Sequence, residues 1–156
     1  MSNEEKKTKA WLLQYSPEQY VAIGVHAIQE LLYHSELTPL PFTPDYCRHL
    51  FRWNQMVVPV MNLNLLINEE ALPCEELVVV SFQYQQQLHF GGLSLPYKPE
   101  LITVNDNQYC ELPDKEKFWS RIALSCFSYE NSAVPILDLA TLFLTANIKQ
   151  SMTLLN

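Results

Sequence analysis

The sequence predicts an all-β protein with short helices, built as two similar lobes, and three observations lead there. Ten prolines interrupt the 156 residues, and between them lie short runs rich in Val, Ile, Leu, Tyr and Phe, the side chains that suit a pleated, half-buried surface. Hydrophobic residues make up 48% of the chain and charged ones 17%, a composition that buries a core rather than staying disordered. A nine-residue segment, Val58-Pro59-Val60-Met61-Asn62-Leu63-Asn64-Leu65-Leu66, returns 76 residues later as Val134-Pro135-Ile136-Leu137-Asp138-Leu139-Ala140-Thr141-Leu142.

The charged start, residues 1–9, reads as a flexible tail with no apolar stretch behind it, which argues against a secretory signal and for a cytoplasmic protein. Trp11–Tyr15 is the first strand, Ser16-Pro17-Glu18 a turn, and Gln19–Val25 resumes with strand alternation. Ile28–Tyr33 fits helix or strand equally well. The prolines of Leu37–Pro44 remove backbone donors and restrict the residues before them, so this stretch is an extended connection, followed by at most one helical turn at Asp45–Arg48. His49–Trp53 and Met56–Met61 form a hairpin around Asn54-Gln55, with Pro59 placing its strand at an edge or a strand end. Asn62 caps a short helix.

The second half opens near Glu75. Leu77–Phe82 is an apolar strand, Gln83–Gln87 a polar turn, and Leu88–Leu95 the returning strand, whose Gly91-Gly92 pair signals a bulge or a close backbone approach. Glu100–Val104 is a further strand and Asn105–Trp119 is irregular. Ile122–Tyr129 and Ala133–Leu137 make a second hairpin around Glu130-Asn131, and Asp138 caps a closing helix through Leu144. Each half therefore reads as two strands, a third, a hairpin and a capped helix.

Several functions are excluded on chemical grounds. The net charge of −7 repels phosphate backbones, and no basic stripe gathers the Lys and Arg residues. No uncharged apolar run approaches the roughly 18 residues of a membrane-spanning helix. Cys47, Cys74, Cys110 and Cys126 lack close-spaced pairs and His26, His34, His49 and His89 lack ligand spacing, so neither a metal nor a thiol nucleophile is expected. No serine sits in a nucleophile elbow, and Gly91-Gly92 lacks the Lys and helix start of a phosphate loop. The reading is of a chain that is not an enzyme and needs no cofactor.

The order Leu37-Thr38-Pro39-Leu40-Pro41-Phe42-Thr43-Pro44, hairpin, Val58-Pro59-Val60 and Asn62-Leu63, then Gly91-Gly92 and Val134-Pro135-Ile136-Leu137-Asp138-Leu139, resembles the CheW-like domain of bacterial chemosensory adaptors from about Lys9 to Leu144. The resemblance implies two SH3-like five-stranded β-barrels sharing a hydrophobic seam, within one domain over residues 10–146, lobe one about 20–70 and lobe two about 77–140 with terminal segments completing the barrels, and 147–156 a C-terminal tail. It further implies a scaffold joining chemoreceptor tips, held between the lobes, to a CheA-type histidine kinase. A module regulating another machinery, such as type IV pilus or twitching motility, is the alternative. The chain departs from the family at its first hairpin, with His49 in place of Gly, Asn54-Gln55 in place of Arg-Gly and Asn62 in place of Asp. Arg52, two residues before the turn, is the candidate replacement for the missing charge. Phe42, Tyr46, Arg52, Trp53, Asn54, Gln55 and Met56 are the candidate partner-binding residues, because aromatics, Met and Arg dominate interface cores.

Overall fold

In the computed structural model, residues 6–113 and 119–144 are described. The strands are β1 (Lys7–Ser16), β2 (Gln19–Gly24), β3 (Ile28–Tyr33), the two-residue β4 (Thr38–Pro39), β5 (His49–Trp53) and β6 (Met56–Asn62). After helix α1 (Leu63–Asn68) come β7 (Glu76–Tyr84), β8 (Gln87–Leu95), β9 (Glu100–Asn105), the short helix α2 (Trp119–Ile122), β10 (Ala123–Tyr129), β11 (Ser132–Leu137) and helix α3 (residues 139–144). β1 begins at Lys7, inside the stretch expected as tail, because Lys7–Lys9 pair with Thr103–Asn105 of β9. The ambiguous segment Ile28–Tyr33 is a strand, held by β7. The 147–156 tail lies outside the described residues.

Three hairpin turns, at Asn54-Gln55, Gln85-Gln86 and Glu130-Asn131, have φ between 47° and 65° at both positions. Two consecutive positive φ values define the type I′ turn, whose twist matches that of the strands it joins. The turn expected across Gln83–Gln87 is thus confined to two residues, and the strands on either side are longer. Both capped helices form as expected. Asn62 Oδ1 accepts from the Leu65 N–H at 3.1 Å, and Asp138 Oδ1 accepts from the Thr141 N–H at 3.3 Å. A cap of this kind stabilises by about 1 kcal/mol.

The strands form two curled sheets, β10-β11-β2-β1-β9 and β3-β7-β8-β6-β5-β4. The repeat is visible in their order: β10, β11, β2, β1 and β9 occupy the places of β5, β6, β8, β7 and β3. The hairpin that opens each half therefore lies in the sheet of the other half. β2 meets β11 in parallel through Ala22 and Ile136, and β8 meets β6 in parallel through Gly92 and Val60. The sheets are consequently not the consecutive lobes 20–70 and 77–140: β7 and β8 complete the sheet of β3–β6, while β1 and β2 complete that of β9–β11.

Pro59 was expected at an edge or strand end, yet β6 lies between β5 and β8. Its ladder with β8 begins one residue later, at Val60, so no bond in that ladder requires the missing N–H of Pro59. Pro135 stands in the same relation to Ile136, the first β11 residue paired to β2.

The apolar runs are explained by burial on both faces. Leu13, Tyr15, Val21 and Ile23 from one sheet meet Met61, Val78, Val80, Leu93 and Leu95 from the other in a shared seam. The alternate residues Ala10, Leu12 and Ala22 turn into the first sheet's own core with Ile102, Phe127 and Val134. Gly91 marks a close approach and not a bulge, since the β7–β8 register runs uninterrupted. A Cβ there would lie 2.4 Å from the ring of Phe143, through which α3 seals one end of the seam.

Candidate functional site: a hairpin rim and an inter-lobe cleft

Strand alternation divides the candidate residues between two faces. Arg52 is opposite Val57, and both are exposed on the outer face of the β5–β6 hairpin. Trp53 is opposite Met56 on the other face, with the Asn54-Gln55 turn exposed at the tip. Phe42 is 80% exposed on the loop before β5, with φ of 61°. Tyr46 is half-buried and packs against the seam, and burial is the main cause of its raised phenol pKa. It therefore belongs to the packing beneath the rim.

Trp53 is half-buried. Its Nε1–H donates to Glu30 Oε2 of β3 at 2.6 Å, and its ring lies 5.2 Å from that of Phe90 on β8. A charge-assisted bond on the indole edge leaves the remaining apolar surface fixed in direction. Leu88, two residues before Phe90 and so on the same strand face, is 54% exposed, and Met56 is 37% exposed. Trp53, Met56, Phe90 and Leu88 together form an apolar rim, with Glu30 as its charged anchor. Sequence reasoning missed Glu30, Leu88 and Phe90, because β3 and β8 reach the hairpin only through the sheet order β3-β7-β8-β6-β5.

A second concavity, of about 270 Å³, lies where α1 of one lobe faces the β1–β2 turn and β11 of the other. Tyr15, Gln19, Ile67, Asn68, Trp119 and Pro135 line it. Asn68 Nδ2 donates to Gln19 Oε1 at 2.7 Å, joining the two lobes across the cleft. None of these residues was a candidate site residue in the sequence. Gln19 and Asn68 are 49 positions apart, and no local pattern announces their meeting.

The chemistry available on these surfaces is contact chemistry: apolar and aromatic area, amides and scattered charges. Among the described residues no group of three or more His, Cys, Asp or Glu is placed to hold a metal ion. No described helix is long and apolar enough to cross a membrane.

Two interlocked half-barrels around one seam make up the fold, with the rim and the inter-lobe cleft exposed on it. The CheW-like domain family matches residues 11–91, and the chain belongs to that family of chemotaxis-type scaffolds and adaptors. Among solved structures, the scaffolding protein TtCheW of Thermoanaerobacter tengcongensis superposes with a TM-score of 0.70 over 85% of this chain and 90% of that one, at 14% identity. At that identity the likeness speaks for the fold. No curated protein matches the chain.

Proposed function

We propose that this protein is a non-catalytic cytoplasmic adaptor that links chemoreceptor tips to a CheA-type histidine kinase. Membership of the CheW-like domain family carries the reading. The rim of Trp53, Met56, Phe90 and Leu88 supports it: an aromatic, Met-containing patch with an anchored indole has the composition of an interface core. Arg52 and the Asn54-Gln55 tip supply the polar border on the outer face, and Phe42 extends the apolar area at the base of the hairpin. In this proposal the rim contacts the kinase's regulatory domain, and the inter-lobe cleft receives the receptor's helical hairpin.

The test is a pull-down of the cognate kinase by the full-length chain and by a Met56→Asp/Leu88→Asp variant, with circular dichroism as the folding control. Loss of about 2 kcal/mol or more, some thirtyfold in affinity, is expected if the rim is a hot spot. Arg52→Glu is expected to weaken binding less and to alter its salt dependence, as border charges do. Wild-type affinity in the folded double variant removes the rim from the interface.

A further inference from the structure

Outside both surfaces, two cysteines meet where the chain after β9 returns alongside β10. Tyr109 and Phe127 form an isolated antiparallel bridge, so the next facing pair is Cys110 and Cys126. The Cys110 N–H donates to the Cys126 carbonyl at 3.1 Å, and the two sulfur atoms are 3.1 Å apart. Both thiols are free. Facing residues of an antiparallel pair hold their Cα atoms about 4.5–5.5 Å apart, inside the span of about 4.4–6.8 Å that a disulfide bridges. Cys74, by contrast, is engaged by the Asn62 amide at 3.7 Å and the Leu72 carbonyl at 3.3 Å.

Small reagents have a route to the pair. Cys110 is partly exposed, and Cys126 lines a cleft of about 240 Å³ with Thr8, Val104, Tyr109 and Ile136. Tyr109 at its border is 70% exposed.

We propose that Cys110 and Cys126 are a reversible oxidation site, a dithiol that closes to a disulfide and fastens the segment after β9 to β10. The oxidant is a low-molecular-weight disulfide, RSSR. The Cys110 thiolate attacks one of its sulfurs, forming a Cys110–SR mixed disulfide and releasing RS⁻, which takes up a proton. Cys126 then loses its proton to solvent and attacks the Cys110 sulfur, expelling the second RS⁻, which is protonated in turn. Two protein thiols are oxidised and one RSSR is reduced to two RSH. Burial first, and then the neighbouring Cys110, push the Cys126 thiol up to about 12. Cys110 is partly exposed while Cys126 is buried, so Cys126 is the resolving thiol, and with its thiol pushed up by burial ring closure accelerates as pH rises. In a reducing compartment such a bond is transient and reports oxidation.

The experiment exposes the reduced full-length chain to oxidised glutathione and reads intact mass, a non-reducing peptide map and the free-thiol count. Two of the four thiols should disappear without a retained glutathione adduct, in a Cys110–Cys126 cross-link that dithiothreitol reverses. Cys126→Ser should instead accumulate glutathione on Cys110. The oxidised wild type should melt at a higher temperature than the reduced form, and Cys110→Ser should show no such rise. A stable glutathione adduct on wild-type Cys110, a cross-link through Cys47 or Cys74, or four thiols surviving the oxidant would each overturn the proposal. The wild-type map decides even if a serine variant fails to fold.

Discussion

Tyr15 shows how one side chain ties the seam to a measurable pH dependence. It is 3% exposed, packs in the seam, and burial pushes its phenol from 10.0 up to about 12. Below pH 10 the phenol is neutral in the folded and unfolded chain alike, and its contribution is fully present. Between pH 10 and 12 the unfolded chain releases the proton while the folded chain keeps it, so stability falls as pH rises. Tyr15→Phe should lose less stability than the parent across that window, by about 1–3 kcal/mol, in denaturant titrations at pH 8 and pH 11.5. Parallel losses in both proteins would show that the phenol ionises equally well when folded. Trp53 makes a complementary point: its type was readable as an anchor, but its direction is set by Glu30, which is 23 residues away.

Gly91 is the clearest element-scale constraint, because it lets α3 lie against β8. Its missing Cβ would stand 2.4 Å from a ring carbon of Phe143, and that ring in turn stacks on Phe82 at 5.4 Å. Gly91→Ala should destabilise by about 1–3 kcal/mol through overpacking, and Phe143→Leu should recover part of that loss in the double variant. Unfolding midpoints of the four proteins measure the coupling. Purely additive effects would mean that α3 is not docked through this contact. The glycine pair was legible as a close approach; the ring that approaches it was not, since Phe143 is 52 positions along the chain. The same limit applied to the rim, where Leu88 and Phe90 read as an ordinary returning strand until parallel pairing placed β8 beside β6.

The exchange of opening hairpins makes the two halves interdependent at the scale of the whole molecule. Residues 1–72 contain β3–β6 but lack β7 and β8, which pair with them, while their own β1 and β2 belong to the other sheet. A fragment of residues 1–72 should therefore stay unfolded, exposing the apolar faces of Val21, Ile23 and Met61. Mixing it with residues 73–156 should restore a dispersed NMR spectrum, because both sheets then have all their strands. A cooperatively folded 1–72 fragment would contradict the exchanged arrangement.

From the sequence alone came the strand class, the hairpins at Asn54-Gln55 and Glu130-Asn131, both capped helices and the internal repeat, all of which rest on local rules. Alternation, turn chemistry and capping act within a few residues, and at that range the chain is unambiguous. Only the tertiary structure decided that Ile28–Tyr33 is a strand, that Pro59 lies inside a sheet, and that the lobes exchange hairpins. Each depends on which distant backbone supplies the partner, and the energy of pairing and burial is shared between segments that carry no mark of each other in sequence. The two-lobed β fold was thus written locally, while the contents of each lobe were settled by long-range pairing.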